Sequence, residues 1–265
     1  MKNTLLITIA TLSTASAHIS YTNRDLGTFS PGNEWRSSTK TGTISSTFGW
    51  AYSTDEDLGD SHRNRAFRFT LLNPGQVTLS VERTGSGNIL LPALSIYSGL
   101  VHLAPESLAH DSSTLSLAQF DGLPPKQGSF NALGTWSIGN DDVYNTPSDP
   151  LSGIAVPASL RTLTYKGNMA DGSSSNFGSA AGINGDGLAD GYVTGSFNLP
   201  AGDYTIMVGG GEYLDTPPAG PYTSYGVNVS LSVIPEPSTF TITVITGAAM
   251  VFRRRRNQTV ELLVA

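Results

Sequence analysis

From Tyr225 to Val233 every second residue is apolar: Tyr225, Val227, Val229, Leu231 and Val233 alternate with Gly226, Asn228, Ser230 and Ser232. A period of two sends the two sets to opposite faces of an extended chain, so this stretch predicts a half-buried β-strand. Ile234 then leads into Pro235-Glu236-Pro237. Proline fixes φ and has no backbone N–H, so the strand stops there and the chain leaves as extended peptide. A strand with one apolar face requires a second layer to cover it, and that requirement sets the class of fold.

Other stretches repeat the pattern. Phe67, Phe69 and Leu71 alternate with Arg68 and Thr70, Asn73-Pro74-Gly75 forms a turn, and Val77, Leu79 and Val81 alternate again. Proline presets the first turn position and glycine accepts positive φ, so the unit predicts a hairpin with its hydrophobic faces in register. It recurs as Phe197 and Leu199, then Pro200-Ala201-Gly202-Asp203, then Tyr204, Ile206 and Val208. Two units about 130 residues apart, with no 20–50-residue period between them, predict one sandwich rather than a solenoid. This strand, Pro/Gly turn and Tyr-Thr-hydrophobic strand resembles bacterial pre-peptidase C-terminal domains and other jelly-roll accessory domains.

The expected fold is therefore all-β: a single jelly-roll-like β-sandwich over 18–234, with long Gly-rich and acidic loops. Strands are also expected at Ile89 to Leu100, Phe130 to Ile138 and Leu160 to Lys166, with a short helix around Glu106 to His110. Tyr21 to Lys40 is polar and turn-rich with no clear period. Phe48, Trp50 and Tyr52 sit at spacing two, which suits a core-facing row more often than a sugar platform.

The two ends read differently from the middle. Lys2, the apolar stretch Leu5 to Ala10 and Ala15-Ser16-Ala17 have the form of a secretory signal peptide over residues 1–17. After Pro237 and Ser238, Thr239 to Phe252 carries no charge, and Arg253, Arg254, Arg255 and Arg256 follow it. An uncharged run before a basic cluster suits a membrane helix over 239–252 with the arginines on the cytoplasmic side. The Pro-Glu-Pro motif, hydrophobic run and arginine cluster together resemble the PEP-CTERM sorting signal, here 235–256 with a short tail at 257–265. That resemblance implies an exosortase-type membrane transpeptidase as partner, transient residence at the inner membrane, and release or transfer to the cell surface or extracellular matrix.

Composition excludes several functions. The 265 residues contain no cysteine, so no disulfide framework or thiol nucleophile exists. Between 18 and 234 there are 10 basic and 19 acidic residues, a charge of −9, which repels phosphate backbones and leaves nucleic acid out as a partner. The histidines (18, 62, 102 and 110) show no zinc spacing, and neither a Gly-x-Ser-x-Gly elbow nor a phosphate loop is present. A carboxylate pair of glycosidase type could still be assembled from distant acids.

The stretch Asn184-Gly185-Asp186-Gly187-Leu188-Ala189-Asp190 is the best site candidate. Oxygen ligands at alternate positions around glycines suit calcium, a hard cation that takes six to eight oxygens. Gly182 and Val193 stand where an EF-hand needs its first and twelfth ligands, so any site over Asn184, Asp186 and Asp190 needs help from other loops. Asp55, Asp57 and Asp60, or Asp141 and Asp142, are the available donors. The competing reading is a double turn whose Asn and Asp side chains cap local backbone N–H groups. Asn228-Val229-Ser230 matches a glycosylation sequon by chance, in mid-strand.

The expectation is a non-enzymatic, exported protein with a structural or adhesive role in the extracellular polysaccharide, with no certain cofactor and calcium as the one candidate. The alternative is a calcium-dependent glycan-binding module, for which exposed aromatics beside an acidic loop would be the sign. A secreted hydrolase is the third reading.

Overall fold

The computed structural model describes residues 19–31, 35–51, 58–100, 129–137, 162–177, 182–213 and 222–233. Twelve strands are seen among them: β1 (Asp25–Phe29), β2 (Arg36–Ser45), β3 (Leu58–Asp60), β4 (Arg65–Leu71), β5 (Gly75–Thr84), β6 (Pro92–Ser98), β7 (Ser129–Asn131), β8 (Trp136–Ser137), β9 (Thr162–Ala170), β10 (Tyr192–Leu199), β11 (Gly202–Gly210) and β12 (Ser224–Val233). One four-residue helix, α1, covers Ser174–Phe177. A six-stranded sheet of order β1-β4-β11-β6-β9-β8 faces a four-stranded sheet of order β10-β5-β12-β2, and β3 pairs with β7 apart from both. The chain is a β-sandwich, as its alternation requires.

The strand over Tyr225 to Val233 forms as expected and lies inside the smaller sheet. It pairs antiparallel with β5 from Gly226↔Thr84 to Val233↔Val77, and with β2 from Ser224↔Ser45 to Val233↔Arg36. Val227, Val229, Leu231 and Val233 point inward and are buried beside Val77, Leu79, Val81, Val193 and Leu199. Phe67, Phe69, Leu71, Leu94, Ile96, Tyr204, Ile206 and Val208 meet them from the six-stranded sheet. Phe69 and Tyr204 stack at 4.9 Å between ring centroids. Each fully buried side chain of this size contributes roughly 1.5–3 kcal/mol.

The expected hairpins are corrected. β4 and β5 do not pair; the turn at Asn73-Pro74 carries the chain from the larger sheet to the smaller. The Pro200-Ala201 turn does the same in reverse between β10 and β11. The two units instead pair with each other, β4 with β11 and β5 with β10. Their hydrophobic faces are in register across the sandwich, since facing strands bury the same alternate residues that a hairpin would align side by side.

The two central strands of the six-stranded sheet, β6 and β11, are buried on both faces. Residues Ala93 to Tyr97 of β6 and Tyr204 to Gly210 of β11 are all inaccessible. Their second face lies under Trp50, Ala51, Phe130, Ala132, Trp136 and Phe177. Phe48 and Trp50 are buried, but they do not form a strand row: Gly49 between them has φ of 103°. Tyr52 lies outside the described residues, as does the expected helix around Glu106.

β2 forms where no period was visible. Its residues Arg36, Ser38 and Lys40 share the inward side with Val233, Leu231 and Val229 of β12, yet only Ile44 of this strand joins the core. Positive charge on the inner side of an edge strand prevents a second sheet from adding there.

Candidate functional site

The expected cation loop lies against the end of β9. Asn168 (2% exposed) organises its start: its carbonyl side-chain oxygen accepts from the Asn184 N–H at 2.8 Å, and its amide donates to the Gly182 carbonyl at 2.9 Å. The Asp186 N–H donates to the Ala170 carbonyl at 3.1 Å. One oxygen of Asp186, Oδ1, accepts from the N–H groups of Gly172 and Leu188 at 3.1 and 3.0 Å. Asp190 Oδ1 accepts from the Tyr192 N–H at 3.0 Å. Gly187 and Gly191 take φ of 82° and 87°, conformations that side chains rarely adopt.

Asp171, which the sequence did not single out, holds the other side of this loop. It is fully buried, and its two oxygens accept from the N–H groups of Asp190 and Gly191 at 3.1 and 2.6 Å. Burial holds its carboxyl above the ordinary aspartate value; the two backbone donors oppose that shift, while the charges of Asp186 and Asp190 add to it. The carboxylates therefore cap turns, which is the competing reading of this loop. Among the described residues no group of three or more His, Asp and Glu side chains could hold a metal ion.

Asp60 is placed elsewhere. Its oxygens accept from the His62 N–H at 3.0 Å, contact His62 Nδ1 at 2.9 Å, and pair with Arg63 Nε at 3.1 Å. The Arg63 guanidinium lies 3.7 Å from the Tyr222 ring centroid and 4.8 Å from that of Phe48. This cluster anchors the loop before β4 to the sandwich. Asp60 is thus engaged in its own cluster, separate from the partners of Asn184, Asp186 and Asp190. Asp55, Asp57, Asp141 and Asp142 lie outside the described residues, as do Pro235, Glu236, Pro237 and Arg253 to Arg256.

A second feature appears only when the strands are laid side by side. On the outer face of the four-stranded sheet, the register aligns Thr194, Ser80, Ser230 and Thr39 in one row and Ser196, Thr78, Ser232 and Ser37 in the next. All eight positions are hydroxyl-bearing. The row above holds Tyr192, Glu82, Asn228 and Thr41, and below lie Asn198 and Gln76. Neighbouring hydroxyls bond across strands, Thr39 to Ser230 at 2.7 Å and Thr78 to Ser196 at 2.9 Å. Each hydroxyl donates once and accepts twice, so these pairs leave capacity for a ligand. Glu82 supplies the only charge in these rows, and Tyr192 at one edge is 42% exposed. Strand spacing puts the hydroxyls roughly 4.8 Å apart across the sheet and about 6.7 Å apart along it.

No protein-family model and no curated protein sequence matches the chain. Solved structures similar to it include the surface-associated copper-binding protein CorA of Methylomicrobium album BG8, 19% identical with a TM-score of 0.48, the match covering 82% of this chain and 98% of that one. The secreted protein MopE of Methylococcus capsulatus, in which an oxidised tryptophan facilitates copper binding, is 18% identical with a TM-score of 0.40, over 78% and 86% of the two chains. The periplasmic g-type lysozyme inhibitor PliG of Aeromonas hydrophila is 11% identical with a TM-score of 0.23, over 78% and 97%. Similarity at this level transfers neither ligand nor role.

Proposed function

We propose that the chain is an exported, non-enzymatic β-sandwich of the cell envelope, held by its PEP-CTERM-like tail until an exosortase-type enzyme acts near Pro235-Glu236-Pro237. Its role is structural or adhesive, in contact with extracellular polysaccharide. The observation that carries the adhesive part is the outer face of β10-β5-β12-β2, where two adjacent rows hold eight hydroxyls and no charge. A neutral polyol offers the same mixture of donors and acceptors, and two rows without charge cost little to desolvate against it. The tail supports the placement, because Pro235 follows β12 after a single residue.

The test is co-sedimentation of the purified protein with insoluble neutral glucan and with an anionic polysaccharide gel. Retention on the neutral glucan, lost in Ser80→Glu/Ser230→Glu with an unchanged melting temperature, is expected. Equal retention of the variant and the natural chain would end the assignment of adhesion to this face.

The calcium-dependent glycan module stays as the second reading, favoured by one observation: exposed Tyr192 stands two residues after Asp190 of the acidic loop. Under that reading a chelator abolishes retention. Under the first reading it leaves retention unchanged.

A further inference from the structure

The sandwich has two ends, and they differ in chemistry. The end from which the chain departs is fixed by Val233, whose register partners are Val77 on one side and Arg36 on the other. Trp35 immediately precedes Arg36 at this end and is 64% exposed. Leu72, in the turn that leads into Gly75 two residues before Val77, is 60% exposed. Its N–H donates to the Phe29 carbonyl at 2.8 Å, which fixes its place at the end of β1 and β4. The second cross-sheet turn, Pro200-Ala201, lies here too, since Leu199 faces Gly75 and Gly202 faces Leu71.

The acidic loop is at the other end. Gly191 accepts from the Arg83 N–H at 2.8 Å, six residues along β5 from Val77. That separation is about 20 Å of strand. Asp171, Asp186 and Asp190 are therefore kept away from the end where the tail leaves. An anionic lipid surface repels carboxylates and accepts exposed apolar groups; the departing end carries the carboxylate of Asp203, which accepts from the Thr70 hydroxyl at 2.6 Å, against the three aspartates gathered at the other end.

The sequence fixes how far the departing end can stand from the uncharged run. Five residues, Ile234 to Ser238, separate Val233 from Thr239. A fully extended chain of that length reaches at most about 20 Å. If Thr239 to Phe252 enters a bilayer, this end of the sandwich is held within about 20 Å of the hydrocarbon, and the headgroup region already fills about 5–8 Å of that distance. Tryptophan, with an apolar body and an N–H donor, is the side chain best suited to that boundary.

We infer that the end of the sandwich bearing Trp35 and Leu72 rests on the membrane surface, both side chains entering the interface. This rests on the reading of 239–252 as a membrane segment. The acidic loop then points away from the lipid, and the hydroxyl face stands across the membrane plane, open to polymer on its side. Cleavage near Pro235-Glu236-Pro237 removes the tether and frees the seated end.

The chain carries its own probe. Of its three tryptophans, Trp50 and Trp136 are buried at 0% and 4% exposure, so Trp35 dominates any quenching by solutes or lipid. The full chain is reconstituted into phosphatidylcholine vesicles, floated on a density gradient, and titrated with aqueous iodide and with lipid brominated near the headgroup. Flotation, bromolipid quenching of Trp35, and at least about threefold protection from iodide relative to free N-acetyltryptophanamide are expected. Trp35→Phe removes the lipid-quenched component while the melting temperature holds, and Leu72→Asp restores at least half of the iodide access. A chain that floats with Trp35 as open to iodide as the free indole overturns the seating and leaves the anchor standing. A chain that does not float overturns both. Protection that appears without vesicles and grows with protein concentration assigns Trp35 to a contact between copies, and also overturns the inference.

Discussion

The indole N–H of Trp50 donates to the Ser95 hydroxyl at 2.8 Å, and that hydroxyl donates onward to the Ala132 carbonyl at 2.5 Å. One small side chain on β6 thus satisfies two polar groups from the layer that covers the six-stranded sheet. All three residues are inaccessible to solvent, so neither group has water as a substitute. Ser95→Ala is expected to cost about 2–3 kcal/mol, the penalty for leaving a buried donor and acceptor unpaired. Urea denaturation measures it; a loss below about 0.5 kcal/mol would show that the covering layer is held by apolar contact alone.

The carboxylates around the loop before β10 make different demands. Asp171 uses both oxygens on separate backbone donors, whereas Asp186 uses the single oxygen Oδ1 for two. An asparagine keeps one acceptor and turns the other into a donor. Asp186→Asn should therefore be tolerated within about 0.5 kcal/mol, while Asp171→Asn should cost about 1–3 kcal/mol by setting an amide against an N–H. Thermal unfolding of the two variants checks the order.

The same position predicts a dependence on pH. Burial raises the Asp171 carboxyl above its ordinary value in the folded state, so the native protein binds more protons here than the unfolded chain does. The stability this contributes is fully present below the ordinary aspartate pKa, about 3.9. It is lost as pH rises through the raised native value. Asparagine does not titrate, so the stability advantage of the natural chain over Asp171→Asn should narrow from pH 4 upward. A gap that widened over that range, measured by urea denaturation at each pH, would reverse the sign.

Gly210 is expected to accept no side chain. A Cβ there would lie 2.2 Å from both the carbonyl carbon and oxygen of Thr47 and 2.6 Å from the Phe48 nitrogen. Backbone on a buried bridge cannot move aside as a flexible side chain can. Gly210→Ala should lose more than about 3 kcal/mol or fail to accumulate as folded protein, read by soluble yield and melting temperature.

For the tail, deletion of Arg253 to Arg256 should let the protein escape unprocessed. Intact-mass analysis of both termini, with and without the deletion, decides it. Processing and retention that do not change would count against the arginines as a stop signal.

How much of this was legible beforehand depends on the kind of evidence each residue carries. The alternation from Tyr225 to Val233 announced its strand, its buried face and its end at Pro235, because side-chain period and proline chemistry are local. β2 was missed for a related reason: an edge strand with Arg36, Ser38 and Lys40 on its inner side has no apolar period to show. The loop at Asn184 to Asp190 displayed cation-ligand spacing, yet its oxygens turned to backbone donors supplied by Gly172, Leu188 and Tyr192. Asp171, thirteen residues before Asn184, gave only a following glycine as a sign.

The sequence by itself determined that the chain is a two-layered β protein, which residues face the core, and where its last strand must stop. Each of those follows from alternation and from proline within a few residues. Only the tertiary structure decided that the two similar units cross between sheets and pair with one another. A strand with one apolar face is satisfied equally by a neighbour beside it or a layer opposite it, and the choice belongs to contacts far apart in the chain. The eight-hydroxyl face arises in the same way: each strand shows its own serines and threonines, but register alone brings four strands' worth into two rows.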